Sequence, residues 1–279
     1  MNKPKTALVT GANSGIGLEI ARALHAGGAH VIMAGRNAEA LRAAANSIGA
    51  DRLETRILDL ASLRQIADFA ATIDQKIDIL INNAGVMTPP QSLTEDGYEL
   101  QFGVNFLGHY ALTGHLYPQL EGARVVTMSS GAYKQAGGID YNNLRAEISY
   151  NAYREYAISK YADMLFMMQL HRLASPYLLS AGAHPGVTAT ALSRHMDAET
   201  YNAALQQFGE LMPASQGALP ALYAATAPGV KGGDYFGPDG DMELKGYPAP
   251  AEITDAVKNE AAGQQLWEFA RQATGIIYP

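Results

Sequence analysis

The sequence contains no cysteine among its 279 residues, so it can form neither a disulfide nor a thiolate metal site. Charged residues make up only 17% of the chain, and the net charge of -7 leaves no basic surplus for a nucleic-acid backbone. Residues 1–13 combine two lysines with a short apolar run, which is neither a signal peptide nor a membrane span. We therefore expect a cytoplasmic protein that binds neither nucleic acid nor membrane.

Hydrophobic residues make up 48% of the chain, which is enough to bury a sizeable core. Short apolar runs alternate with helical patterns, without a linker, an internal repeat or a low-complexity segment. This alternation predicts an α/β fold: one doubly wound, Rossmann-type domain over residues 1–279, with a central parallel sheet of about seven strands flanked by helices. The predicted strands are 6–9, 31–34, 53–58, 77–81, 124–128, 178–183 and 234–236, and the last two predicted helices are 214–227 and 252–274.

A glycine-rich turn, TGANSGIG at Thr10–Gly17, connects the first predicted strand to a helical pattern. Glycine permits tight curvature and close approach of a ligand, and the start of the following helix offers N–H groups to a pyrophosphate. The spacing Gly-x-x-x-Gly-x-Gly differs from the commonest dinucleotide fingerprint. The turn indicates a phosphate-binding loop, with a purely structural glycine turn as the alternative.

Residues after the second and third strands indicate which dinucleotide would bind. Arg36 stands where an NAD-selective unit usually places an acidic residue, and an arginine there can neutralise a 2′-phosphate. This predicts NADP(H) in preference to NAD(H), unless Arg36 is only an exposed residue beside the helix that starts at Asn37. Ser62 and Gln65 form a capping-box signature, which leaves Asp59 available to contact the adenine.

Tyr156 and Lys160 are four residues apart, so they share one face if the segment is helical. A lysine cation beside a phenol favours the phenolate and brings proton transfer closer to neutral pH. The pair therefore indicates acid–base chemistry. The alternative is two amphipathic residues on an ordinary helix.

Other polar residues end predicted strands or interrupt a helix. Asn82 and Asn83 end the fourth strand, where they can tie neighbouring strands together or contact a ribose. Ser129 and Ser130 end the fifth strand, at the edge where parallel sheets bind ligands. Asn105 lies within a long helical pattern over residues 95–120, where its poor helix propensity requires some compensation.

Four of these signals coincide: TGANSGIG, NNAG at Asn82–Gly85, the serine that ends the fifth strand, and YAISK at Tyr156–Lys160. Together they resemble the short-chain dehydrogenase/reductase family, of the classical type. The segments VTMSSGAYKQAGGIDYNNL, AHPGVTATAL and LWEFARQATG are similar to its retinol-dehydrogenase-like branch. The resemblance implies an NADP(H)-dependent oxidoreductase, a carbonyl reductase or alcohol dehydrogenase that interconverts a ketone or aldehyde and an alcohol by hydride transfer.

The resemblance also implies roles for individual residues. Tyr156 would be the general acid/base, and Lys160 would favour its ionisation and hold the nicotinamide ribose. Ser130, rather than Ser129, would bind the substrate oxygen, and Asn105 would position a water in the proton relay. The implied cofactor contacts are Gly11, Asn13, Ser14, Ile16, Arg36, Asp59, Leu60, Asn83, Ala84, Gly85, Tyr156, Lys160, Pro185, Gly186, Thr188 and Thr190.

Residues 188–212 are expected to form a substrate lid, because long loops in compact domains are usually functional or disordered. Aromatic and methionine side chains could line an apolar pocket beneath it or could be ordinary packing; these are Tyr98, Tyr133, Tyr150, Tyr153, Met196, Tyr201, Phe208 and Met212.

Three further expectations complete the interpretation. The seven histidines show no ligand spacing, so no metal is predicted, and His184 is interpreted as a packed loop residue. The expected partner is a small carbonyl or alcohol substrate, and a homodimer or homotetramer is possible. The alternatives are a catalytically silent NAD(P)-sensing protein on the same fold, and a sugar-nucleotide epimerase or dehydratase, which would need a larger C-terminal domain.

Overall fold

The computed structural model describes residues 4–190 and 209–278, and within them eight strands form one sheet. The strand order is β3-β2-β1-β4-β5-β6-β7-β8, with β1 to β7 parallel and β8 antiparallel at one edge. The strands are β1 Thr6–Thr10, β2 His30–Gly35, β3 Leu53–Ile57, β4 Ile79–Asn82, β5 Arg124–Met128, β6 Leu179–Ala183, β7 Tyr235–Pro238 and β8 Pro248–Pro250.

Helices cover both faces of this sheet. They are α1 Gly15–Ala26, α2 Ala38–Ile48, α3 Leu63–Ala70, α4 Gly108–His115, α5 Ala152–Ala174, α6 Ala214–Gly217, α7 Leu219–Thr226, α8 Asp255–Lys258 and α9 Glu260–Thr274. A π-helix, Phe102–Leu107, leads directly into α4, and 3-10 turns span Tyr117–Leu120, Gly131–Gln135 and Asp241–Glu243.

In β1, β2, β4, β5 and β7, alternate residues supply two separate cores. Leu8 of β1 packs in the cluster formed with α3, α4, α5 and α9, whereas Ala7 and Val9 pack in the cluster formed with α1, α2 and α7. Strands buried on both faces are typical of a parallel sheet covered by helices on each side. The predicted doubly wound fold is therefore confirmed.

The strand order changes direction next to β1, because β2 and β4 lie on its two sides. The loops that leave β1 and β4 consequently separate at the carboxyl edge of the sheet, and a crevice opens between them. Most of the residues implicated by the sequence lie at this edge.

The structure differs from the sequence prediction at several boundaries. The predicted helix over 95–120 starts late, because Leu93 pairs with Glu99 in a turn, and it is interrupted by the π-helix that contains Asn105. The predicted final helix over 252–274 is divided at Asn259, whose side chain caps α9. The predicted helix over 214–227 is divided into α6 and α7. Strand β8, which has proline at both ends, was not predicted.

Residues 191–208 of the predicted lid lie outside the described residues. The two ends of the segment are joined by backbone hydrogen bonds, from Ala189 N to Met212 O at 2.9 Å and from Met212 N to Val187 O at 3.1 Å. Both ends of the predicted lid are thus anchored beside the sheet edge.

Candidate active site

A cleft of about 360 Å³ opens at the carboxyl edge of the sheet, a volume within the usual range of small-molecule sites. Thirteen of the predicted cofactor contacts line it: Gly11, Asn13, Ser14, Ile16, Arg36, Asp59, Leu60, Asn83, Ala84, Gly85, Lys160, Pro185 and Thr190. Residues from six separate loops and helices therefore converge on one cavity, as the strand ends predict.

The glycine-rich turn forms one wall of the cleft. Gly11 has φ +67°, and a Cβ on Gly17 would lie 2.4 Å from the Gly11 carbonyl oxygen, so both positions require glycine. Ser14 stands at the N-cap of α1, but its hydroxyl makes no capping hydrogen bond, and the first turn carries no acidic residue. The start of α1 consequently offers N–H groups and a positive dipole end to an anion in the cleft.

Arg36 and Asp59 follow the ends of β2 and β3 and also line the cleft. Arg36 is exposed, and within residues 4–190 and 209–278 no carboxylate pairs with it. Asn37, not Arg36, begins α2, since its side chain accepts the N–H of Ala40 at 3.0 Å. The carboxylate of Asp59 is half-buried and accepts the N–H of Ala61 at 2.9 Å, which holds it at the cleft without capping a helix.

Asn83 ties the first and fourth strands together. Its amide donates to the Thr10 carbonyl at 2.8 Å, and the backbone N–H groups of Asn83 and Ala84 both donate to the Thr10 hydroxyl at 2.9 Å. The strand-tying role expected for the paired asparagines is therefore present. Asn82 contributes separately, since its amide donates to the hydroxyl of Thr113 at 3.0 Å.

Lys160 is buried in the middle of α5 and its side chain reaches the cleft. The Nζ atom donates to Met128 O at 3.0 Å and to Asp163 Oδ2 at 2.9 Å, and it lies 5.9 Å from the centre of the Tyr156 ring. Burial acts against the lysine charge, but the Asp163 carboxylate and the Tyr156 phenol outweigh it and raise the pKa of Lys160. The lysine is thus held as a cation beside the predicted acid.

Asp163 is a site residue that the sequence interpretation missed. It is almost completely buried, and burial raises its pKa to about 7 despite the attraction of Lys160. The available signal was its spacing, three residues beyond Lys160, which puts both side chains on one helix face.

The two serines at the end of β5 have different partners. The Ser129 hydroxyl donates to Lys160 O at 2.9 Å and fastens the strand to α5. The Ser130 hydroxyl instead accepts the N–H of Ala132 at 3.3 Å, at the start of the 3-10 turn. An oxygen that accepts still has its own hydrogen to donate. Ser129 lines the cleft and Ser130 does not, so the contact of Ser130 with a substrate oxygen stays a prediction.

The side chain of Asn105 forms hydrogen bonds to both the loop after β4 and α5. Its Oδ1 accepts the N–H of Val86 at 2.8 Å, while its Nδ2 donates to Val86 O at 3.0 Å and to Ser159 Oγ at 2.9 Å. These bonds supply the compensation that asparagine needs within a helix. Because both amide hydrogens are used, only the acceptor oxygens of Asn105 are left for the predicted relay water.

The segment after β6 divides into residues that line the cleft and residues that do not. Pro185 and Thr190 line it. Gly186, with φ +63°, packs so closely on Leu244 that a Cβ would lie 2.3 Å from its carbonyl oxygen. The Thr188 hydroxyl donates to Pro185 O at 2.8 Å. The structure therefore brings Thr190, and not Thr188, to the lining of the cleft.

The candidate pocket residues are only partly described. Met196, Tyr201 and Phe208 lie outside the described residues. Tyr98 packs against Phe269, and the Tyr133 hydroxyl donates to a backbone carbonyl at 2.8 Å. The five candidate pocket residues that the structure describes do not line the cleft; they are Tyr98, Tyr133, Tyr150, Tyr153 and Met212.

His184 is buried in the loop after β6, and its Nδ1 atom accepts the N–H of Gly186 at 3.4 Å. Burial lowers its pKa to about 4, against the attraction of Glu243. Across the described part of the chain, no cluster of three histidine or acidic side chains suits a metal ion, and no helix has the length and apolar character to cross a membrane.

Comparison with known proteins identifies the family. A family model described as short chain dehydrogenase matches residues 5–200. The chain belongs to the short-chain dehydrogenase family. Its members use a nicotinamide cofactor, so the protein is an oxidoreductase of this type.

Relatives place this short-chain dehydrogenase in the retinol-dehydrogenase-like branch. It is 37% identical to retinol dehydrogenase 13 of Homo sapiens, over 99% of this chain and 86% of that protein. It is 36% identical to polyprenol dehydrogenase of Mus musculus, over 97% of this chain and 84% of that protein. A crystal structure of an uncharacterised protein from Mycobacterium paratuberculosis, 35% identical, superposes with a TM-score of 0.83 and covers 99% of this chain and 95% of its own.

Proposed function

We propose that this short-chain dehydrogenase is an NADP(H)-dependent oxidoreductase that interconverts a ketone or aldehyde and an alcohol, with Tyr156 as the general acid/base. The observation that carries this proposal is the buried cation of Lys160, which opens on the cleft one helical turn from Tyr156. The ammonium group of Lys160 is held in place by its hydrogen bonds, and a phenol beside a fixed cation is suited to donating and recovering a proton.

The donor set of the cleft fits a phosphorylated dinucleotide. The open start of α1 would hold the pyrophosphate, and the Arg36 guanidinium suits a 2′-phosphate. Asp59 would contact the adenine, while Asn83 and Lys160 would hold the two ribose groups. When bound, the nicotinamide supplies or accepts the hydride, and the chain supplies orientation and the proton.

Four polar residues would then bind the carbonyl oxygen and transfer the proton. Tyr156 gives its proton to the carbonyl oxygen as negative charge develops there, and Ser130 donates a hydrogen bond to the same oxygen. Lys160 stabilises the phenolate that remains. Asn105 holds a relay water through an acceptor oxygen, since its amide hydrogens are engaged.

Substrate class follows from the names of the relatives and from the candidate site together. Relatives named for retinol and polyprenol are dehydrogenases of alcohols. We propose a small apolar carbonyl compound or alcohol for this chain, which would meet the cofactor between Ser130 and the anchored ends of the 188–212 segment.

The test is a set of assays with the purified protein, NADPH or NADH, and a panel of aryl ketones, aliphatic ketones and retinal. We expect loss of the reduced-nicotinamide absorbance with at least one carbonyl compound, faster with NADPH than with NADH. Tight NADPH binding without turnover on any member of the panel would instead favour a nucleotide-sensing protein. Chiral analysis of the alcohol product would then define the stereochemistry.

A further inference from the structure

His109 is a buried histidine on α4 that the proposed mechanism does not use. Both of its ring nitrogens have partners: Nδ1 lies 2.7 Å from Asn105 O, and Nε2 lies 2.9 Å from the hydroxyl of Thr10. One partner belongs to the π-helix and the other to the start of the glycine-rich turn. The imidazole therefore bridges two separate parts of the candidate site.

The partners determine the tautomer. A carbonyl oxygen can only accept, so Nδ1 must carry the hydrogen and donate it to Asn105 O. The bare Nε2 then accepts the hydroxyl hydrogen of Thr10, whose oxygen already accepts two N–H groups, those of Asn83 and Ala84. The carbonyl of Ile81 is a second acceptor for that hydrogen at 3.3 Å, and the shorter contact of 2.9 Å favours Nε2. Burial also lowers the pKa of His109 to about 4, which keeps the ring neutral near pH 7.

The hydrogen bonds continue on the far side of Asn105. Its side chain donates to Ser159 Oγ at 2.9 Å, and Ser159 in turn donates to the backbone carbonyl of Tyr156 at 2.8 Å. A connected path thus runs from Thr10 through His109, Asn105 and Ser159 to the helix that carries the general acid.

Filling space in the core does not explain why position 109 holds a histidine. Burying an imidazole is unfavourable unless both nitrogens are bonded, and an apolar side chain on α4 would fill a core position without that cost. The bonds of His109 go to Thr10, beside the cofactor cleft, and to the carbonyl of Asn105, the predicted relay residue.

We propose that His109 is a positioning residue, whose Nδ1–H tautomer links the cofactor-binding turn at Thr10 to the carbonyl of Asn105 and so fixes the proton-relay geometry. The inference rests on the proposed function, because the geometry matters only if Asn105 and Tyr156 take part in proton transfer. His109 itself touches neither substrate nor cofactor in this account.

Kinetic measurements on matched variants test this role. H109L and T10V are expected to lower kcat by about 10- to 100-fold with a small change in the KM of the carbonyl substrate, because small misplacements near a reacting centre cost up to about that much. H109N keeps a donor near the Nδ1 position, and T10S keeps the hydroxyl, so both should recover most of kcat. The control H115L removes an exposed histidine from the same helix.

Coupling between the two residues gives a second measurement. The loss of kcat in the T10V/H109L double variant should be smaller than the product of the two single losses, since both variants remove the shared Thr10–His109 bond. Wild-type kcat in H109L, or multiplicative losses in the double variant, would overturn the proposal. So would a rise in the NADPH KM with kcat unchanged, which would confine the role to cofactor binding.

A spectroscopic measurement keeps the proposal testable without activity. With 15N-labelled histidine at pH 7, the His109 signals, identified by their absence in H109N, should show the neutral tautomer with hydrogen on Nδ1. A spectrum with hydrogen on Nε2 would refute the link. If the wild-type protein reduces no carbonyl compound, the proposed function fails, while this spectrum still reports whether the His109 bridge exists.

Discussion

Replacing Arg36 separates the two nicotinamide cofactors more directly than any other change in this chain. Arg36 is exposed at the rim of the cleft, so R36L removes a charge without opening a cavity, and the cap of α2 at Asn37 remains intact. The predicted partner of Arg36 is the 2′-phosphate, which NADPH has and NADH lacks. A loss confined to NADPH is therefore expected.

The magnitude follows from the exposure of the guanidinium. A hydrogen bond to a charged group contributes about 1.5–3 kcal/mol, and an exposed pair lies at the lower end of that range because water screens it. R36L should therefore raise the NADPH dissociation constant by about 10- to 30-fold, since 1.4 kcal/mol corresponds to a factor of ten. R36D adds repulsion and should cost about 100-fold or more.

Fluorescence titration with each cofactor at two salt concentrations measures these effects. The difference in NADPH affinity between wild type and R36L should become smaller as the salt concentration rises, since salt screens the charge–charge interaction that R36L removes. The control is R42L, which removes an exposed arginine of α2 that does not line the cleft. Equal losses for NADPH and NADH in R36L, or a comparable NADPH loss in R42L, would refute the assignment.

Three other changes test different parts of the site. G17A should lower the free energy of unfolding by about 1–3 kcal/mol, because its Cβ would lie 2.4 Å from a backbone oxygen of the turn. G131A should not, because a Cβ on Gly131 would have no atom within 4 Å, and thermal melting of the two variants measures the difference. K160M should destabilise the protein by about 3 kcal/mol, because it leaves the buried Asp163 unpaired. K160M/D163N should recover the stability, measured by urea denaturation, but not the turnover in the ketone assay. The lowered pKa of His109 should make wild-type stability fall by about 3 kcal/mol between pH 7 and pH 4, where the unfolded chain binds a proton that the folded chain does not. Urea denaturation at both pH values should show that H109N removes this part of the dependence, and an unchanged dependence would contradict it.

The sequence was sufficient for the fold and for most of the residues that line the cleft, because the signals are local. A buried strand followed by a glycine turn and a helix defines Gly11–Gly17 without knowledge of the remaining chain. Arg36 and Asn83 are predicted in the same way, since each follows a short apolar run whose length favours a strand. The parallel topology then brings these strand ends together whatever their separation in sequence.

The remaining features depend on tertiary contacts that no local pattern specifies. A carboxylate three residues after a lysine is ordinary on an exposed helix, so the burial of Asp163 is visible only once α5 is packed. His109 is bonded to Thr10, 99 residues away, and no local pattern predicts the π-helix that contains Asn105. Gly186 stays a predicted cofactor contact, and its close packing on Leu244 is a tertiary contact that the local sequence does not specify.

Substituting phenylalanine for Tyr156 is the most direct test of the central claim, with Y161F as the matched control. Both tyrosines are buried on α5, and the Tyr161 hydroxyl only donates to Ala256 O at 3.0 Å. With NADPH and an active carbonyl substrate, Y156F should lose at least about 100-fold in kcat while still binding NADPH, since general acid catalysis contributes about that much or more. Y161F should stay within about threefold of wild type, because it removes one hydrogen bond outside the reaction. Carbonyl reduction by Y156F at the wild-type rate would contradict the account.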